Sequence, residues 1–266
     1  MERLLEELSP RTRWLGRRLD VHLQVDSTNR IAEELAREGA PEGSLVLADA
    51  QSAGRGRLGR SFFSPGGRSI YLSALLRPSE PPEEVHLYIF VAALAVATTV
   101  RGFVPSQVDV SIKWPNDVLL NGLKTSGINL PAQIENGRVT SAVLGIGVNV
   151  NVGEEEFPPE LRGLATSLRI ASGTPVDRVA FAEALIEGLE REIDRFRSEG
   201  FVPVLDDWGK FFRMRGLRVR VGGPAVRQEI EGTVEGLDPH GALLLRTDGG
   251  TERVLAGDVT LVKRRR

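Results

Sequence analysis

An apolar run over residues 44–48 leads within a few residues into Gly54-x-Gly56-x-x-Gly59. Behind a strand, this glycine spacing marks a dinucleotide-binding βαβ unit, provided a helix opens at the third glycine and turns its N-terminus to the pyrophosphate. The next residues are Arg60-Ser61-Phe62-Phe63-Ser64-Pro65-Gly66-Gly67, with Pro-Gly-Gly where the first helical turns would lie. A doubly wound dinucleotide fold is therefore not expected, and the glycines must serve a loop. That loop carries Arg55, Arg57 and Arg60, and no Asp or Glu occurs anywhere in residues 50–79. A glycine-rich cationic loop suits closure over a polyanion, foremost the phosphates of a nucleotide. A kinase glycine loop fails for want of His-Arg-Asp and Asp-Phe-Gly segments, and no Walker A sequence is present.

The rest of the chain alternates helical and strand patterns. Asp26-Ser27-Thr28-Asn29 supplies N-cap residues before an amphipathic run through Ile31 and Leu35, which Gly39 closes. Residues 44–48 and 69–76 read as strands, 85–101 as a nearly buried helix, and 108–113 as a strand stopped by Trp114-Pro115. Asn121-Gly122 predicts a two-residue hairpin turn joining 117–120 to 127–134, and Asn136-Gly137 predicts another leading into 139–152. Phe181, Leu185, Leu189, Ile193 and Phe196 recur at helical spacing, with Gly200 as the stop. After Gly216 the character changes. Short strands at 217–221, 229–237, 242–247 and 253–262, separated by Gly, Pro and Asp turns, predict a small β-barrel appended to the main domain. The expected class is α+β with a mixed sheet, divided into residues 1–213 and 214–266, the basic tail 263–266 being a solvated end.

Composition narrows the setting. A formal net charge of −2 over 266 residues excludes a generally basic nucleic-acid binder, so any positive field is local. The absence of cysteine rules out disulfides, thiolate catalysis and cysteine-held metals. His22, His86 and His240 lie far apart without supporting partners, so neither a histidine metal site nor a Ser-His dyad is expected. No apolar stretch is long enough to span a membrane, and residues 1–20 lack a signal-peptide core, which predicts a cytoplasmic protein.

Three further clusters carry chemistry. Lys113-Trp114-Pro115-Asn116-Asp117 sets a lysine, an amide and a carboxylate around a Trp-Pro pair. Lys113 could balance phosphate charge, and Asn116 or Asp117 could hold a ribose, an adenine edge or the water shell of Mg²⁺. A strand-end turn with a buried Trp is the plainer use of the same residues. Lys124-Thr125-Ser126-Gly127-Ile128 has one cation in a neutral stretch. Gly145-Ile146-Gly147-Val148-Asn149-Val150-Asn151 reads as an apolar strand whose two asparagines share a face. Ordinary turn duty is the rival for both.

In this order the clusters resemble the biotin–protein ligase family. The matching features are Ser27-Thr28-Asn29, Gln51 with the Gly54-Arg55-Gly56-Arg57-x-Gly59-Arg60 loop, the Lys113–Asp117 block, Lys124-x-x-Gly127-Ile128 and Gly145-x-Gly147-x-Asn149, across roughly residues 20–263. The resemblance implies a catalytic domain like those of biotin ligases and class II aminoacyl-tRNA synthetases, followed by an SH3-like barrel. It also implies an activity: ATP and Mg²⁺ convert biotin to biotinyl-5′-AMP, and biotin passes to a lysine of a biotin carboxyl carrier protein or domain. By the same match Arg55, Arg57 and Lys113 are catalytic. Ser27, Thr28, Asn29, Gln51, Arg55, Gly56, Arg57, Lys124 and Gly127 would bind biotin, and Arg57, Arg60, Phe62, Lys113, Asn116, Asp117 and Asn149 would bind ATP. No metal held by protein ligands is implied. Some relatives carry an N-terminal DNA-binding domain; about twenty residues precede the similarity here, so sequence-specific DNA binding is not expected. Homodimerisation is a family-level expectation only.

Two departures stand out. Asn129-Leu130-Pro131 replaces the aliphatic residues and acid that many relatives have, and Pro131 predicts a sheet edge or bulge. Phe62 stands where tryptophan is frequent, a substitute for stacking on adenine. Lipoate ligases and octanoyltransferases are the nearest alternative, but they lack the arginine loop and the Trp-Pro block. A non-catalytic biotin sensor would have lost Arg55, Arg57 and Lys113, all of which are present.

Overall fold

The computed structural model of the protein describes residues 7–223, 226 and 228–262, so the tail at 263–266 lies outside the described residues. Strand β1 (Leu19–Val25) and strand β2 (Leu45–Gln51) run parallel, joined through helix α1 (Thr28–Arg37). Ser27 precedes α1, yet its side chain makes no capping bond. Then come β3 (Ile70–Leu76), α2 (Leu87–Phe103), β4 (Val110–Lys113), β5 (Asp117–Leu120), β6 (Leu123–Asn129), β7 (Ala132–Glu135) and β8 (Arg138–Val148). The sheet order is β1-β2-β3-β8-β6-β5-β4, with β7 also on β8, and every pair after the first is antiparallel. A mixed sheet results, as the pattern predicts.

Both hairpin turns form where Asn-Gly stands, with positive φ at Asn121 (49°) and Asn136 (51°) as a two-residue turn requires. The strand expected at 127–134 is in fact two. β6 starts directly after the turn at Leu123, and Leu130-Pro131 separates it from β7, both pieces pairing with β8. Pro131 has no N–H for the ladder, but its carbonyl still accepts from Val143 N at 2.9 Å.

The sheet divides the interior. On one face Leu72, Ala74, Leu76, Leu144, Ile146 and Val148 pack against α2 and the later helices α3 (Leu168–Ser172), α4 (Arg178–Glu199) and α5 (Phe201–Gly209). On the other, Val46, Leu75 and Val143 meet Ala32, Leu35 and Ala36 of α1. The predicted stripe Phe181, Leu185, Leu189 and Ile193 is fully buried, and Asp177 caps α4 through the backbone N–H groups of Val179 and Ala180. Among the described residues no helix is long and apolar enough to cross a membrane.

The C-terminal region is a five-stranded antiparallel sheet in the order β12-β11-β10-β9-β13. Its strands are β9 (Arg218–Gly222), β10 (Ile230–Leu237), β11 (Leu243–Thr247), β12 (Gly250–Val254) and β13 (Asp258–Leu261). Here the single strand expected at 253–262 divides in two around Gly257, whose φ of 148° breaks the extended run. This sheet docks on the Trp-Pro block. Trp114 Nε1 donates to the carbonyl of Gly241 at 2.9 Å, and a Cβ at Gly241 would stand 2.8 Å from the Phe90 ring.

Candidate active site

On the α1 face of the sheet, β6 and β8 pair Gly127 with Gly147 and Asn129 with Gly145. Side chains alternate along a strand, so these four positions form one patch with almost no Cβ atoms. The patch is the floor of a cavity whose walls are the start of α1, the end of β2 and the Gly/Arg loop. A Cβ at Gly147 would lie 2.6 Å from Phe62, and one at Gly145 would lie 2.2 Å from the side-chain oxygens of both Asn29 and Asn129. The glycines are there because other groups occupy that space.

The loop folds back on itself. Phe62 N donates to Gly54 O at 2.9 Å and Gly56 N to Arg60 O at 2.7 Å, around a 3₁₀ turn at Arg57–Gly59. Gly59 closes the turn with φ 76°, and any Cβ at Gly54 would strike the Phe62 carbonyl at 2.6 Å. Phe62 thus lies inward over Gly127 and Gly147, leaving a cavity of about 40 Å³. As it stands the cavity has room for about three waters, so a larger ligand needs side chains of the loop, the Phe62 ring among them, to shift. A groove of about 530 Å³ adjoins the cavity past Arg55, Gly56, Arg57 and Pro131.

A polar network closes the α1 end. Gln51 Oε1 accepts from Thr28 N (2.9 Å), and Gln51 Nε2 donates to Ser64 Oγ (3.1 Å), which donates to the Phe62 carbonyl (2.8 Å). Ser73, fully buried on β3, lies 2.8 Å from Thr28 Oγ1 and donates to Asn29 Oδ1 at 2.6 Å. Asn29 Nδ2 donates to Asn129 Oδ1 (2.9 Å), and Asn129 Nδ2 to the Arg55 carbonyl (3.2 Å).

Positive charge gathers at the opposite end. Arg57 Nη1 donates to Asn116 Oδ1 at 2.8 Å, tying the loop to the Trp-Pro block, whose Trp114-Pro115 peptide is cis. Lys113 pairs with Asp117 in the β4–β5 register but has no ion-pair or hydrogen-bond partner among the described residues. Burial pushes its ammonium below the ordinary lysine range, with Asp117 opposing the shift. Burial likewise lowers the Arg57 guanidinium, against Asp258 and Asp117. Lys124 reaches Asp117 at 2.6 Å and also lies beside Gly127. A bulge explains this reach: Val118 pairs with Ser126 but Leu119 with Lys124, so Thr125 is the extra residue and Lys124 is re-aimed. Such an arrangement can hold a small polar-headed acid at one end and anionic phosphates at the other. Among the described residues no three His, Asp or Glu side chains converge to hold a metal ion.

The chain matches the Biotin/lipoate A/B protein ligase family over residues 21–149 and the Biotin protein ligase C terminal domain over residues 216–262. A biotin--[acetyl-CoA-carboxylase] ligase of Mycobacterium tuberculosis is 35% identical over 263 residues, covering 96% of this chain and 95% of the relative. The chain belongs to the biotin protein ligase family. A bifunctional ligase/repressor BirA of Bacillus spizizenii is 37% identical over 94% of this chain and 76% of its own length. Among solved structures, a biotin protein ligase from Aquifex aeolicus in complex with biotin and ATP superimposes with a TM-score of 0.78 at 29% identity, covering 93% of this chain and 99% of that one.

Within this biotin-ligase fold, the residues expected to bind biotin (Ser27, Thr28, Asn29, Gln51, Arg55, Gly56, Arg57, Lys124 and Gly127) line one cavity, together with Phe62 and Asn116. Lys113, Asp117, Arg60 and Asn149 lie outside that lining. Arg60 extends to the C-terminal sheet, pairing with Asp258 of β13 at 2.7 Å. Asn149 is buried, its Nδ2 donating to Thr166 O at 3.1 Å while Oδ1 has no hydrogen-bond partner among the described residues. Asn151 does not share its face: β8 ends at Val148, and both ends of the Asn151 amide bond the Val176 backbone. Sequence reasoning missed Ser73 and Asn129 as site residues. A lone serine within the apolar run Ile70–Leu76 was the available signal for the first. For Asn129 the only signal was its departure from the family pattern.

Proposed function

We propose that the glycine-floored cavity takes biotin and that the cationic end beside it takes the triphosphate of ATP, in a cytoplasmic biotin–protein ligase. The activity is ATP-dependent joining of biotin to a protein. Ser27, Thr28, Asn29 and Gln51 would face the ureido ring, while Lys124 stands at the carboxylate end beside Arg57 and Lys113. The observation that carries this reading is the half-buried Lys113, without an ion-pair partner among the described residues, in the same block as Asn116, which lines a cavity whose other end is a hydrogen-bonded polar network. A buried cation without a partner is costly unless an anion completes it.

In the first step a biotin carboxylate oxygen attacks the α-phosphorus, the bond to pyrophosphate breaks, and biotinyl-5′-AMP forms. Negative charge grows on the phosphoryl oxygens, where Arg55, Arg57 and Lys113 supply fixed positive charge without any proton transfer. In the second step the neutral amine of a carrier-domain lysine attacks the acyl carbon, AMP leaves and the amine gives up a proton. Asn149 Oδ1, buried and unpartnered, suits the exocyclic amino group of adenine. Phe62 would stack on the base once its ring has moved off the floor. Mg²⁺ would arrive with the triphosphate and be held chiefly by phosphates and water, and Asn116 and Asp117 would be the residues to bond its water shell. The unit up to residue 213 would carry the chemistry, and the unit from 214 would brace the loop through Arg60 and Asp258.

ATP–pyrophosphate exchange, run with Mg²⁺ and with biotin, lipoate or octanoate added separately, tests the reading. Exchange dependent on biotin is expected. Exchange with lipoate alone would move the chain to the neighbouring ligases, and none with any acid would favour the sensor.

A further inference from the structure

The polar network does more than line a wall: it ends on the loop. The Arg55 carbonyl can only accept, which fixes Asn129 with its nitrogen toward that carbonyl and its oxygen toward Asn29; the Asn29 nitrogen then donates to Asn129 Oδ1, and its oxygen is left to accept from Ser73 Oγ. Each amide orientation is set by the one before it. The two carboxamides occupy the space directly above Gly145, where no side chain would fit. Each nitrogen keeps a second N–H, and both residues line the cavity beside the Ser27 hydroxyl, which caps no helix.

We infer that Asn129 is a specificity-determining and loop-positioning residue. Its carboxamide holds the Arg55 carbonyl where the cavity meets the groove and adapts that part of the pocket to a head group carrying both C=O and N–H, such as a cyclic urea. Such a head group satisfies the free N–H donors and finds the Arg55 carbonyl already turned inward. The end of an aliphatic or dithiolane acid would bury the same donors unpaired, the situation in which polar pockets reject apolar analogues most strongly. An aliphatic residue at 129 would leave both Asn29 Nδ2 and the Arg55 carbonyl without their present partners. The inference rests on the biotin-ligase reading and names a residue that sets its acid specificity.

Asn129→Asp and Asn129→Leu test it. The first keeps shape but sets an oxygen against the Arg55 carbonyl; the second removes all polarity. Exchange kinetics with biotin, lipoate and octanoate give KM and kcat, and trypsin nicking at the loop arginines without substrate reports how firmly the loop is held. Both variants are expected to raise the KM for biotin about tenfold while kcat and the KM for ATP change less than about twofold. Loop nicking should speed up in both, and Asn129→Leu should narrow the preference for biotin over octanoate. An unchanged biotin KM with unchanged nicking in the variants would overturn the inference while leaving the biotin-ligase reading intact. Wild-type exchange independent of biotin would remove that reading, and the inference with it.

Discussion

The two faces of the central sheet are built from the same strands and do opposite things. Along β8, Leu144, Ile146 and Val148 point into the helix layer, while Val143, Gly145 and Gly147 point toward α1 and the cavity. β3 divides the same way, with Leu72 and Ala74 on the first side and Ser73 on the second. One face fills space with branched carbon and leaves none over. The other withholds side chains at Gly127, Gly145 and Gly147, so that the amides of Asn29 and Asn129, the Phe62 ring and a ligand can share it. Stability and function are therefore carried by alternate residues of single strands, a division that the two-residue period of a strand makes available.

The contrast can be broken from either side. The largest effect is expected at the cationic end of the site face. Lys113→Ala and Arg57→Ala should each lower single-turnover adenylate formation by roughly 10²–10³-fold, with thermal unfolding little changed. Equal rates in both variants would remove these residues from the chemistry. On the core face, Val148→Ala should cost about 1.5–3 kcal/mol in denaturant unfolding and leave the biotin KM of the folded protein within about twofold. Its neighbour gives the reverse result: Gly147→Ala puts a methyl 2.6 Å from Phe62, so the KM for biotin should rise while stability changes by no more than about 1 kcal/mol. A stability loss at Gly147 matching that at Val148 would erase the distinction.

The smallest effect concerns the outer side of the helix layer. Glu190 on α4 accepts from the backbone N–H groups of Arg13, Trp14 and Leu15, with Glu183 and Glu187 taking those of Ser9 and Arg11. Burial raises the Glu190 carboxyl, but these three N–H donors outweigh it and hold the group below its ordinary 4.5. A lowered carboxyl stabilises the docked segment above its ordinary value and ceases to do so as pH falls through the lowered one. The amide protection factors at residues 13–15 should therefore be high at neutral pH and fall in acid, once the intrinsic slowing of exchange with falling pH is divided out, and Glu190→Gln should flatten that dependence. Protection factors that stay constant across that range would mean that apolar contacts alone hold the segment.

Much of this was legible in the chain. The Asn-Gly turns at 121–122 and 136–137, the buried stripe of α4 and the loop glycines each follow from local rules, because each is decided by neighbours in sequence. The break at Leu130-Pro131 was legible as a disturbance but not as a second strand, since only pairing with β8 shows that β7 resumes the ladder. The bulge at Thr125 was invisible, because nothing in Lys124-Thr125-Ser126 announces that the two-residue period fails there.

By itself the sequence determined which residue types the site would own: the arginines, Lys113, Lys124, the Ser27-Thr28-Asn29 run and the floor glycines. Tertiary structure alone decided how they are used. It turned Lys124 toward Gly127 through a bulge, sent Arg60 to Asp258 in the C-terminal sheet, and linked Ser73, Asn29 and Asn129 to the Arg55 carbonyl. The reason is range. Periodicity, turns and caps act over a few residues, whereas the Arg60 and Ser73–Asn29–Asn129–Arg55 contacts join positions 44 to 198 residues apart, and the bulge at Thr125, though local in sequence, exists only once the strands have found their register.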